Sequence, residues 1–258
     1  MNKKTVIQLI KAFRLPECFL VVALGFIGFK YAEIQPHILT LVTLFFVISV
    51  TMLQNDWRDR IHDLKKGKRL AYEKPSLFLF WLILFWVICL VLIGILFLEN
   101  AIAAGILALG VLLAAIYSEI RRLPLASVAF VSISVATALL IPLAFGASFK
   151  EIMPLFFATI LIMFGRETLH DIADKKADGE YKKTIPILIN DRFARAISAI
   201  ALVVGCGLAI FFSIYTIIGS LFIMWGLLGI NKEARLIKVR KKVDVGLVLL
   251  CLSLIALG

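Results

Sequence analysis

Residues 50–63 read VTMLQNDWRDRIHD, and this stretch turns from oil to water within a few positions. Upstream, Ile38–Val50 is apolar except for Thr40, Thr43 and Ser49. Downstream, Asp56, Asp59 and Asp63 fall within eight residues, with Arg58 and Arg60 between them. Asn55, Asp59 and Asp63 are spaced i, i+4, i+8, which puts them on one helical face. The carboxyl end of a helix already presents partial negative charge. The chain therefore stacks anions where electrostatics disfavours them.

The surrounding sequence belongs in a bilayer. Of 258 residues, 62% are hydrophobic and 17% charged, and the mean hydropathy is +1.00. A soluble domain needs far less apolar content to fill its core. A helix needs roughly 17–25 apolar residues to cross about 30 Å of hydrocarbon. Nine runs approach this: 13–31, 38–54, 77–98, 101–117, 123–145, 152–164 with an extension to 168, 194–214, 215–230 and 243–257. The expectation is an all-α integral membrane protein, one domain over residues 1–258. Nine transmembrane helices would form one bundle, with an Asp-rich helical cap on the cytoplasmic side.

The formal charge of +11 could suggest nucleic acid, but its placement argues for topology instead. If the amino terminus is cytoplasmic and the spans alternate, 26 of the 28 Lys and Arg residues fall inside, leaving Lys30 and Lys150 outside. Cys18, Cys89, Cys206 and Cys251 lie in or beside apolar runs with no CxxC spacing, and read as small core residues. The first run begins at Phe13, lacks a small-residue cleavage site and reads as a span.

A second segment, GRETLHDIADKKADGEYKKTIPI at 165–187, repeats the acidic pattern. Glu167, Asp171, Asp174 and Asp178 follow i, i+4, i+7, i+11, again one helical face, and fall on the same side of the membrane in the charge-derived topology. A single acidic cluster among Lys and Arg is ordinarily a solvated face. Two with helical spacing on one side favour a shared cation. Hard oxygen donors suit Mg²⁺, which takes a few carboxylates together with the oxygens of a substrate phosphate.

These residues resemble the UbiA-type intramembrane prenyltransferases. Asn55-Asp56-Trp-Arg-Asp59-Arg-Ile-His-Asp63 matches that family's NDxxDxxxD motif, and Asp174-Lys-Lys-Ala-Asp178 its DxxxD motif. Arg166-Glu167 and Asp171 precede the second motif, and Lys183-Thr184-Ile-Pro186 follows it, as in the family. The segment IYSEIRRLPL, with Tyr117, Arg121 and Arg122, is similar to the family's stretch after the fourth helix, and Arg14 with Pro16 to its opening. Two departures stand out: Lys74 lies where an Arg is common, and Ala177 replaces the usual Gly.

The resemblance implies a helical bundle around a cavity open to lipid. Prenyl diphosphate would bind through two Mg²⁺ ions, held by Asn55, Asp56, Asp59 and Asp63 on one side and by Asp171, Asp174 and Asp178 on the other. Asp59, Asp63 and Asp174 would be the central catalytic carboxylates. Lys68, Arg69, Arg121, Lys182 and Lys183 are candidates for the diphosphate. Tyr117 would face the allylic cation, which aromatic rings stabilise. His62 and His170 read as interfacial histidines. The expected partners are a prenyl diphosphate, a lipophilic acceptor of aromatic or quinone-precursor type and membrane lipids, with no nucleic acid. The competing readings are a terpene cyclase of the same fold, a relative using phosphoribosyl diphosphate, and a divalent-cation transporter. A transporter would place carboxylates near the bilayer midplane.

Overall fold

The computed structural model describes residues 3–120, 126–179, 183–231 and 235–257. Among them all regular structure is helical, as expected where no water is present to satisfy exposed backbone groups. The helices are α1 (Lys3–Ala12), α2 (Leu15–Tyr31), α3 (Ile38–Arg58), α4 (Leu70–Glu73), α5 (Pro75–Glu99), α6 (Ala101–Ile120), α7 (Ala126–Ala136), α8 (Phe149–Asp178), α9 (Ile185–Leu188), α10 (Asp191–Phe212), α11 (Ile217–Leu227) and α12 (Leu236–Ala256). Short 3₁₀ segments cover His62–Lys66, Thr137–Phe145 and Ile214–Thr216.

Among the described residues, six helices are long and apolar enough to cross a membrane: Thr5–Tyr31, Ile38–Arg58, Pro75–Glu99, Ser127–Phe145, Phe149–Lys175 and Asp191–Phe212. Ala101–Tyr117 and Ile214–Leu227 are apolar but shorter. The protein is an all-helical integral membrane protein. Three features depart from the apolar runs. α1 is an additional helix that buries Thr5 and Leu9 and exposes Ile7 and Ile10. α8 runs beyond its apolar part to Asp178, so the second acidic segment sits on a continuous helix. α12 begins two turns before its apolar run, because Leu236, Val239 and Val243 are buried on one face.

The chain divides into two compact units. The first contains residues 1–22 and 36–118. In it α3 packs on α5, and Phe13 stacks on Phe85 at 4.9 Å between ring centroids and meets Trp81 edge-on at 5.6 Å. Phe46 adds a further contact with Phe85 at 5.4 Å. Lys74 Nζ donates to Thr5 Oγ1 at 2.8 Å, tying the loop before α5 to α1. The outward residues of α5, among them Ile83, Val87 and Leu90, are exposed, as lipid-facing residues are.

The second unit contains residues 23–35 and 119–258. Its centre is α8, packed against α7, α10 and α12. Small residues allow close helix approach, the usual device where lipid supplies no hydrophobic drive. A Cβ on Gly165 would lie 2.6 Å from Leu202 Cγ, and Ser198 Oγ donates to Gly165 O at 2.7 Å. α11 and α12 meet in the same way at Gly219 and Gly246: a Cβ on Gly219 would lie 2.6 Å from Leu250 N. Lys30 Nζ donates to Ile255 O at 2.6 Å, placing a cation at the carboxyl end of α12. Across the two units the four cysteines are free thiols, and all are buried.

Candidate active site

The first acidic motif starts on α3 and continues past it. α3 ends at Arg58, yet helical hydrogen bonding persists: Asp59 N–H donates to Asn55 O at 2.9 Å and Asp63 N–H to Asp59 O at 2.8 Å. The expected shared face of Asn55, Asp59 and Asp63 thus survives the helix end. The 3₁₀ turn His62–Lys66 then stops at Gly67, whose φ of +78° is accessible to glycine without strain. This turn folds the chain back, and Lys68 N–H closes it on Asp63 O at 3.0 Å. Lys68 Nζ consequently reaches two carboxylates, Asp56 Oδ1 at 2.9 Å and Asp63 Oδ2 at 3.1 Å.

Asp56, Asp59 and Asp63 are 6%, 5% and 6% exposed, which separates them from an ordinary solvated charge cluster. Arg14 supplies a second cation, with Nη2 donating to Asp56 Oδ1 at 2.6 Å. Arg14 also has a positive φ, +47°, a conformation that non-glycine residues adopt rarely and that is enriched at functional sites. Burial pushes the Asp63 carboxyl above its ordinary pKa, with Asp56 and Asp59 adding to the rise and Lys68 opposing it. Beside these groups is a cavity of about 270 Å³, whose lining includes Lys11, Asp56, Arg60, Asp63, Lys68 and Arg69.

The second motif belongs to the other unit. Arg166, half-buried on α8, donates from Nε to Asp244 Oδ1 at 2.7 Å and from Nη1 to Glu167 Oε1 at 2.5 Å. His170 Nε2 is 4.0 Å from Asp244 Oδ1, and Arg240 Nη1 is 3.7 Å from Asp174 Oδ1. Lys175 donates to Asp191 Oδ1 at 2.7 Å. His170 is therefore enclosed by charged neighbours, not placed at a solvated interface. Asp171 is half-buried on α8.

The other expected site residues are less enclosed. Arg69 is exposed and pairs with Glu73 at 3.8 Å, Lys183 is exposed, and Tyr117 is half-buried on α6. Lys74 reaches Thr5 and, among the described residues, no carboxylate. Arg121 and Lys182 lie outside the described residues, as does the side chain of Asp178. Sequence reasoning did not find Asp244 and Arg240, which stand in a run of basic residues that reads as a membrane-flanking anchor. Lys11 of the cavity was hidden in the same way.

Among the described residues, no group of three or more His, Cys, Asp or Glu side chains is close enough to form a metal cage. Mg²⁺ does not require one: it keeps waters and takes one or two carboxylates plus substrate oxygens. The donor set of the first motif fits such a cation. Asp56 and Asp63 already converge on the positive Nζ of Lys68, and Asn55 Oδ1 is a buried acceptor that no described residue satisfies.

Against protein-family models, residues 18–253 match the UbiA prenyltransferase family. The fold is similar to a solved structure described in terms of digeranylgeranylglyceryl phosphate synthase in membranes, at 17% identity and a TM-score of 0.68 over 98% of each chain. It is also similar to the apo structure of a UbiA homolog from Aeropyrum pernix K1, at 16% identity and a TM-score of 0.69 over 93% of this chain and 95% of that one. No curated protein sequence matches. With a family match spanning nearly the whole chain and both acidic motifs in place, the protein belongs to the UbiA prenyltransferase family and is an intramembrane transferase of prenyl groups.

Proposed function

We propose that the enzyme is Mg²⁺-dependent and transfers a prenyl group from a prenyl diphosphate to a lipophilic acceptor of aromatic or quinone-precursor type. Asn55, Asp56, Asp59 and Asp63 would hold one part of the metal–diphosphate assembly, and Asp171, Asp174 and Asp178 the other. The motifs would lie on the cytoplasmic face of a nine-span bundle with its amino terminus inside. The observation that carries this reading is the burial of three carboxylates of the first motif, two of which, Asp56 and Asp63, accept from the ammonium of Lys68. Buried carboxylates are tolerable only with a partner cation, and here they stand beside a cavity with a basic lining.

Bound metal would neutralise charge on the diphosphate as it leaves. The remaining work falls to the chain. Arg14 and Lys68 hold Asp56 in place, and Lys68, with a side chain 44% exposed, can turn toward a diphosphate oxygen as a point charge. Arg69 offers a planar fork for the same group. Tyr117 is the proposed aromatic neighbour of the allylic cation. The solved relative named for a digeranylgeranylglyceryl phosphate product gives the acceptor a second class to test, a glyceryl phosphate.

The test is turnover of radiolabelled prenyl diphosphate in detergent with either acceptor class. Chelation should abolish transfer and added Mg²⁺ restore it. Asp59→Ala and Asp174→Ala should each lower the rate by at least about a hundredfold while the helical circular-dichroism signal persists. Activity that survives chelation, or near-normal turnover in either variant, would overturn the proposal. A product formed without acceptor would identify a cyclase.

A further inference from the structure

On α8, Arg166, His170 and Asp174 recur at i, i+4, i+8 and share one face. On α12, Arg240 and Asp244 stand four residues apart and share another. The two faces are opposite in charge, rung by rung: Arg166 meets Asp244 at 2.7 Å, and Asp174 meets Arg240 at 3.7 Å. The strong rung fixes the register of the weaker one. Arg166 is held on two sides, by Asp244 and Glu167, and its side chain is only 13% exposed. α12 is further seated on α11 through Gly219 and Gly246, and Lys242 Nζ lies 3.3 Å from the centroid of the Trp225 ring.

The consequence concerns Arg240. At 3.7 Å its Nη1 is beyond hydrogen-bond reach of Asp174 Oδ1, so the pair is held by charge alone. Its side chain is about a third exposed, at 34%, and among the described residues its guanidinium makes no hydrogen bond. A planar cation with five donors is thus anchored beside a carboxylate of the second motif. Arg192 and Lys241, by contrast, are exposed.

We propose that Arg240 is a further substrate-binding residue, which contacts the diphosphate through its guanidinium while Asp244, by holding Arg166, fixes the helix that presents it. The proposal rests on the prenyltransferase reading above, and adds a residue of α12 to the proposed contribution of the second Asp motif. Arg is the side chain whose geometry matches two diphosphate oxygens at once, so Lys at this position would replace the charge but not the fork.

The experiment uses the full-length protein in detergent and inorganic pyrophosphate with Mg²⁺ as the probe, with binding read from the ligand-dependent rise in Tm. Arg240→Gln should weaken pyrophosphate binding about tenfold, and raise KM for prenyl diphosphate similarly with KM for the acceptor unchanged. Arg240→Lys should recover part of the loss. Lys241→Gln, which removes an exposed charge from the same helix, should bind as the wild type does. The Tm of each variant without ligand reports folding separately.

Wild-type binding by Arg240→Gln overturns the proposal, as does an equal loss in Lys241→Gln, which would trace the effect to the general basic field. Absence of any pyrophosphate binding by the wild type also overturns it. If the wild type binds pyrophosphate in an Arg240-dependent way yet transfers no prenyl group, the transferase reading falls and the Arg240 assignment stands.

Discussion

Asp63 carries a conflict that a single substitution can expose. Its carboxyl is buried beside two others, and its pKa is raised, first by that burial and then by Asp56 and Asp59. A carboxyl whose folded pKa exceeds its unfolded value favours the fold while protonated. Its contribution is complete below the unfolded pKa and is lost as pH rises through the folded one. In metal-free protein, the Tm of the wild type should therefore decline relative to Asp63→Asn as pH climbs from the normal carboxylate range toward neutral. A wild-type curve parallel to that of the variant would show that Lys68 fully compensates the ionised form. The i, i+4, i+8 spacing of Asn55, Asp59 and Asp63 was readable because adjacent turns of one helix encode it. The partners of those charges were not: Arg14 meets Asp56 across 42 residues of sequence, and Arg166 meets Asp244 across 78. No local pattern carries a pairing of that span, so a basic residue beside an apolar run does not announce which carboxylate it meets.

Among the helices, hydropathy located the apolar stretches well but misjudged where helices begin. The segment 231–242 reads as a charged loop, yet α12 starts at Leu236. The 3.6-residue recurrence of Leu236, Val239 and Val243 outweighs the charges that interrupt it. α1 escaped for the same reason, with Lys residues masking a short amphipathic face. Glycine contacts were equally silent in the sequence, since a glycine in an apolar run signals neither packing nor its absence. At Gly219 an added side chain meets backbone of α12 at Leu250 N and Gly246 O, 2.6 and 2.7 Å from the Cβ, and backbone cannot rotate away. Gly219→Leu should lower stability by roughly 1–3 kcal/mol or more, measured as the midpoint of unfolding in detergent. Gly207→Leu, where a Cβ meets nothing within 4 Å, should leave the midpoint nearly unchanged.

For the molecule as a whole, the proposed orientation rests on the distribution of Lys and Arg, which would leave only Lys30 and Lys150 outside. Glu73, Lys150 and Arg192 are all exposed, and none has the positive φ that would strain a replacement at Gly67 or Gly179. Cysteine introduced singly at these three positions and treated in intact cells with a membrane-impermeant thiol reagent should react only at position 150. Unequal accessibility of positions 73 and 192 would put the two acidic motifs on opposite sides of the membrane and end the shared-diphosphate proposal. The native thiols do not stand in the way. Cys18, Cys89 and Cys206 are 0% exposed and Cys251 is 4% exposed, so sulfur chemistry in water finds no foothold on the unaltered chain. Any pair of added cysteines would be the sole attachment points for nitroxide or fluorescent labels. Distances between helix ends could then be followed spectroscopically, in lipid and during turnover, without first rebuilding the interior.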